Sequence, residues 1–304
     1  MPAATLARVP EALQPDLSLV RRRLLGWYRA EHRDFPWRHT RDPYAVLVSE
    51  VMLQQTQASR AADRFPRFMG RFPTAARLAS APEAEVLVEW SGLGYNRRAL
   101  ALQRAARAVV DRGWQPEASA LEQLPGVGPY TARAIASLAF GERVGVVDTN
   151  VRRWLVRRFG AEADDAARLQ ALADALAAGG RDAPEETAAW THATMEFGAR
   201  ICSARSARCA QCPIAHGCPS RGIAARVPVT RQPAYVGSTR ARRGALLRLL
   251  AASDDNGLAP ETARRRLGLD RASFRAMLAG LERDGLMHRS GARLRLGGAP
   301  TIGR

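Results

Sequence analysis

The only four cysteines of this 304-residue chain stand within one short stretch, spaced Cys202-x6-Cys209-x2-Cys212-x5-Cys218. Cysteine used as a small buried hydrophobe has no reason to crowd in this way. Four thiolates at short, irregular spacing make a cage for a single soft-metal centre. Structural zinc sites usually use two close Cys-x2-4-Cys pairs separated by a longer stretch. Here one pair is close and the outer cysteines wrap around it. That spacing favours an iron–sulfur cluster, with zinc and then disulfides as the alternatives.

Hydrophobic residues make up 46% of the chain, enough for a globular protein of two or three domains. The formal net charge is +17, and because lysine is absent all 46 basic residues are arginine. Such a charge favours a polyanionic partner, most simply nucleic acid, over a merely solvated basic surface. The stretch Arg226–Arg304 holds 16 arginines against 6 acids, or +10 of the +17. The N-terminus carries proline and acids where a signal peptide needs an apolar run. No segment approaches the roughly 18 apolar residues of a membrane span. Clustered reduced thiols then point to the cytoplasm.

The periodicity is helical nearly throughout. Apolar residues recur at helical spacing in Pro43–Ala58, Ala84–Trp90, Arg97–Asp111, Pro129–Phe140 and Asn150–Phe159. Pro/Gly punctuation such as Gly92-Leu93-Gly94 and Gly126-Val127-Gly128 separates them. No internal repeat is present. After the last cysteine, 221–239 reads as a linker. Beyond it, Arg240–Ala252, Pro260–Leu267 and Arg271–Arg283 read as three helices, followed by a hairpin turning at Ser290-Gly291. Three helices and a hairpin resemble a winged helix-turn-helix, a unit that binds nucleic acid in many proteins and only protein in others.

Two motifs carry chemistry. In LPGVGPYTA (Leu124–Ala132), Gly126 and Gly128 let the backbone turn with bare N–H groups beside a helix N-terminus. That is a sequence-independent phosphate-binding device, more specific than an ordinary helix–helix turn. Asp148, in VVDTNVRRW, reads either as a helix N-cap or as a functional carboxylate.

The order of hairpin, aspartate and cysteine motif resembles the superfamily of endonuclease III and the MutY-type adenine DNA glycosylases, over about Trp27 to Pro219. FPWRHTRDPYAVLVSEVMLQQTQ (Phe35–Gln57) is similar to the MutY-type signature. The resemblance implies an all-α, two-lobed helix-hairpin-helix DNA glycosylase with a 4Fe-4S cluster loop, followed by the small winged-helix-like domain. The expected divisions are 21–42 with 143–220 for the cluster lobe, 43–142 for the hairpin lobe, and 240–298 for the tail. Glu50 would protonate the leaving base, and Asp148 would stay ionised and stabilise the oxocarbenium-like sugar, the two-carboxylate logic of glycoside cleavage. Trp37, Arg38, Tyr130, Asn150 and Glu196 would line the base pocket. Gln55 and Tyr95 would enter the duplex where the base is flipped out. The cluster would hold a loop whose Arg200, Arg205 and Arg208 meet phosphates. The implied partner is duplex DNA with a mismatched or oxidised base pair, met by a monomer.

Bifunctional members carry a hairpin lysine that forms a Schiff base. Tyr130 stands there in this chain, and no lysine exists to replace it, so the resemblance implies a monofunctional enzyme. The pattern departs from the family at two points. The short basic tail does not resemble the Nudix-like domain that reads 8-oxoguanine, and VDTN (Val147–Asn150) replaces the usual VDGN. The alternatives are a thymine/uracil mismatch glycosylase of the same superfamily and a non-catalytic iron–sulfur DNA-binding module.

Overall fold

The chain is built from 14 α-helices and one hairpin among the residues that the computed structural model describes, 14–160, 165–179, 183–223, 237–253 and 257–299. Most of the expected linker lies outside the described residues. No described helix is long and apolar enough to cross a membrane. Cα packing divides the chain into two compact units, 1–50 with 114–123 and 127–230, and 51–113 with 124–126 and 231–304.

The first unit contains α1 (Gln14–Glu31), the start of α2 (Pro43–Leu53), α7 (Ala118–Leu121), α8 (Pro129–Phe140), α9 (Thr149–Phe159), α10 (Ala166–Ala178) and α11 (Pro184–Arg200). Helix α11 is its axis, packing against α1, α8 and α9. The core is one apolar cluster in which Trp154 and Phe197 meet edge-to-face at 5.8 Å and Trp27 meets Phe197 at 5.9 Å. Two of its helices start where short polar side chains take orphan N–H groups: Asp165 accepts from the Arg168 amide, and Asp148 caps α9.

The second unit contains α3 (Ala58–Arg71), α4 (Ala75–Ser80), α5 (Glu83–Glu89), α6 (Arg97–Arg112), α12 (Thr239–Ala251), α13 (Pro260–Arg266), α14 (Arg271–Arg283) and the antiparallel pair β1 (Met287–Ser290) and β2 (Arg293–Leu296). Phe274, Met277, Leu278 and Leu281 are buried as the periodicity predicts, together with Leu246, Leu250, Met287 and Leu294. The tail packs on α5 and is tied to it where the Gly298 amide donates to Glu83 at 2.9 Å.

The structure departs from the periodicity at the end of α2, which runs to Leu53 and not to Ala58. Gln55 adopts φ 55° and Tyr95 φ 47°, the two described non-glycine residues in the left-handed region. Each conformation costs about 1–2 kcal/mol. Arg98 supplies the compensation. Its Nη1 donates to the carbonyls of Val51 (2.6 Å), Met52 (3.1 Å) and Gln54 (2.6 Å). Its Nη2 donates to the Gly94 carbonyl (3.0 Å) and to Thr56 Oγ1 (3.1 Å). One guanidinium thus replaces the missing helical turn and joins the loops that carry Gln55 and Tyr95. Burial pushes its pKa down to about 10, which leaves it charged at neutral pH.

Candidate active site

The hairpin needs glycine at Gly126 twice over. Its φ is 79°, and a Cβ there would lie 2.7 Å from the Ala101 Cβ. Gly128 then caps α8, with Pro129 pre-setting the first turn and Tyr130 beside it. The Tyr130 hydroxyl lies 3.7 Å from the Met195 sulfur on α11.

Glu50 sits in α2 among buried Val46, Leu47, Val48, Val51 and Met52, and is itself 3% exposed. Its Oε2 has no hydrogen-bond partner among the described residues. Burial pushes the carboxyl up to about 7; the Tyr130 hydroxyl opposes this and the Asp148 charge adds to it. The acid is therefore about half protonated at neutral pH, where a free glutamate is fully ionised.

Asp148 is both an N-cap and a member of this site. Its Oδ1 accepts from the amides of Asn150 (2.8 Å) and Val151 (2.6 Å), and its Oδ2 from Asn150 Nδ2 (2.7 Å). Burial leaves its carboxyl above the ordinary aspartate value. The three donors, the helix N-terminus and the Arg153 charge all favour the ionised form. Asn150 is held in turn by Arg153, whose Nη2 donates to Asn150 Oδ1 (2.9 Å) and the Gly198 carbonyl (2.5 Å) and whose Nε donates to the Cys202 carbonyl (2.8 Å). Glycine at 198 permits this approach, because a Cβ there would lie 2.6 Å from the Asn150 carbonyl oxygen.

Glu196 belongs to a second buried cluster on α11. Arg33 Nε donates to its Oε1 (2.7 Å) and Arg38 Nη2 to its Oε2 (2.8 Å). Burial raises its pKa, but the two guanidiniums more than offset that and hold it at about 2. Arg38 also lies 5.1 Å over the ring of Phe35, which stacks on buried Trp37 at 4.9 Å. His192 beside them is driven down to about 3 by burial first and by the Arg38 charge second, so it is neutral.

All four cysteines line one cavity, walled by Trp154, Phe197, Ile201 and Ile214. Arg157 Nη1 donates to the Ser203 carbonyl (2.8 Å) and to Cys202 Sγ (3.5 Å). Among the described residues no three His, Cys, Asp or Glu side chains gather closely enough to hold a single metal ion. A lone zinc requires all its sulfurs at about 2.3 Å from one point. A multi-iron cluster spreads its thiolates over several irons and suits four cysteines around a cavity.

Of the sequence-predicted residues, Glu50, Tyr130, Asp148 and Asn150 come together, and Trp37, Arg38 and Glu196 form the neighbouring cluster in the same unit. Gln55, Tyr95 and Gly126 belong to the second unit. Sequence reasoning missed Arg33, Arg98, Arg153 and His192. Four arginines in the eleven residues of α9 exceed what one solvated face needs, and that was the available signal for Arg153.

Two carboxyl groups in a shared buried site, one raised to about 7 and the other held by three donors, can serve glycosidic bond cleavage as acid and anion. Comparison with known proteins agrees. Residues 48–178 match the HhH-GPD superfamily of base excision DNA repair proteins. The adenine DNA glycosylase of Mycobacterium tuberculosis (strain CDC 1551 / Oshkosh) is 42% identical over 247 residues, covering 76% of this chain and 78% of that one. The structure of a thermostable thymine-DNA glycosylase superposes with a TM-score of 0.64 at 30% identity, over 70% of this chain and 99% of that one. A trapped endonuclease III–DNA covalent intermediate, 24% identical, shares the fold with a TM-score of 0.58 over 69% and 97% of the two chains. The chain belongs to the HhH-GPD superfamily and, within it, to the adenine DNA glycosylases.

Proposed function

We propose that this protein is a monofunctional adenine DNA glycosylase of base excision repair, hydrolysing the N-glycosidic bond of adenine mispaired with 8-oxoguanine or guanine. The observation that carries the chemistry is Glu50: a fully buried acid with an unpartnered oxygen and a pKa of about 7. The free oxygen is available to give its proton to the leaving base. Asp148, held by three donors, faces the positive charge that develops on the sugar. Water completes the hydrolysis. With no lysine in the chain, the strand stays intact. A non-catalytic module has no use for a buried acid whose ionisation destabilises the fold.

The four-cysteine cavity supports the reading of a 4Fe-4S cluster on Cys202, Cys209, Cys212 and Cys218. Bound there, it cross-links the loop, and Arg153 and Arg157 tie that loop to α9. Exposed Arg205 and Arg208 are then placed for phosphates. The three-helix tail with its hairpin supports a winged-helix-like reading. The partner is duplex DNA, the acting species a monomer, and the site of action the cytoplasmic nucleoid.

The thymine-DNA glycosylase likeness at 30% identity favours one second reading, excision of thymine or uracil opposite guanine. Single-turnover assays with A opposite 8-oxoguanine, G or C, and T or U opposite G, followed by alkali, decide between them. Adenine loss with strand cleavage only after alkali is the expected result. Thymine or uracil loss instead overturns it.

A further inference from the structure

The second unit holds a groove of about 890 Å³ for which the chemistry of the first unit has no use. It is lined by the Gly92–Gly94 loop with Gln55 and Tyr95, by Arg60 and Arg97, and by α12. Helix α12 turns Arg240, Arg243, Gly244, Leu247, Arg248 and Ala251 toward it, spaced as one helical face.

The charge in this groove is one-sided. Six arginines line it, counting Arg98, and no carboxylate does. Arg243 pairs with Asp284 outside the lining, Arg97 lies 3.7 Å from the same carboxylate, and Arg98 is committed to loop carbonyls. Arg60 and Arg248 are exposed and have no carboxylate partner among the described residues. A merely solvated basic face looks different: on α13, Arg264 and Arg265 both pair with Glu261. Exposed cations such as Arg60 and Arg248, in a groove lined by no carboxylate, concentrate a polyanion.

The groove is linked to Gly126 by hydrogen bonds within the second unit. Gln54 Nε2 donates to the Gly126 carbonyl (3.4 Å), and Arg98 joins Gln54 to the Tyr95 loop. Arg240 donates to the Tyr95 hydroxyl at 2.5 Å and lies 5.3 Å over its ring. The tail is thereby fixed against the loop that carries Tyr95.

We propose that this groove takes the phosphodiester backbone of duplex DNA, so that the tail adds to the DNA-binding surface beside Tyr95, with Arg60 and Arg248 as phosphate contacts. The proposal rests on the glycosylase reading above for its choice of polyanion. The test uses the full cluster-loaded chain carrying Glu50→Gln, and a labelled duplex with A opposite 8-oxoguanine, with Kd measured by anisotropy between 50 and 200 mM salt. Each phosphate contact adds about 0.9 to the slope of log affinity against log salt. Arg60→Ala with Arg248→Ala should flatten that slope by about 1.8, so the parent loses about 12-fold more affinity across the range than the double variant. Arg275→Ala with Arg283→Ala, exposed on α14 away from the groove, should leave the slope unchanged. An unchanged slope in the first pair, or equal flattening in the second, overturns the proposal. Wild-type excision measured in parallel separates the two ideas. Flattening without adenine excision sinks the glycosylase reading alone, and excision without flattening sinks the groove alone.

Discussion

Glu50 and Glu196 are two glutamates buried equally deeply in one unit, at 3% and 1% exposure, and they stand in opposite states of charge. Glu196 faces two guanidiniums and is held at about 2, while Glu50 faces a tyrosine and an aspartate and rises to about 7. Burial penalises both. What differs is whether cations are within reach to offset it. Glu196 is a fixed anion that fastens α11 to the 33–38 segment. Glu50 has its pKa raised at a cost in stability, as the proposed role of proton donor requires.

The largest expected effect comes from removing the proton of Glu50. Glu50→Gln should lower single-turnover adenine excision by about 10²–10⁴-fold while DNA affinity stays within a few-fold. Excision within tenfold of wild type would show that the acid lies elsewhere. Asp148→Asn sharpens the same point. Asparagine caps helices as well as aspartate does, so thermal stability should change little, while excision should fall about 10²–10³-fold with the anion lost. Excision within tenfold of wild type would instead make Asp148 a cap and nothing more.

On the other side of the comparison, Glu196→Gln should destabilise the fold by about 3–5 kcal/mol, because Arg38 is left buried beside a neutral group. A urea midpoint equal to wild type would dissolve the contrast. The two residues should also differ in their pH signatures. Glu196, lowered in the folded state, contributes stability above the free carboxylate range that is lost as pH falls through about 2. Glu50, raised, has the opposite sign: stability declines as pH climbs from the free glutamate value to about 7, by up to about 3 kcal/mol. Glu50→Gln should therefore be more stable than wild type at pH 8 and equal to it below pH 4. The smallest effect is kinetic. The alkaline limb of the excision rate should bend near 7 and move when Tyr130→Phe removes the hydroxyl that lowers the Glu50 pKa. A limb unmoved by that change would assign it to another group.

Much of this was legible in the chain. Helices α6, α8, α9 and α14 fall within two residues of where apolar periodicity predicts them, because each buries one continuous stripe. The end of α2 was not, since the cation that stops it, Arg98, lies far along the chain, and a window of local periodicity contains no such partner. The proposed catalytic pair could be named from motif order, yet Asp148 read as either cap or carboxylate. In the structure it caps α9 and lies beside Glu50, so the two readings are compatible. Arg153 and Arg33 escaped notice because an arginine in a basic chain carries no mark of its partner.

By itself, then, the sequence determined the helical class, the four-cysteine motif, the basic tail and the absence of any lysine to form an imine, all properties of composition and spacing. Only the tertiary structure decided which glutamate has its pKa raised, which is locked to arginine, and which arginines of the tail line the groove. The reason is physical. Charge states and grooves depend on desolvation and on neighbours brought together from distant parts of the chain, and neither exists until the helices have packed.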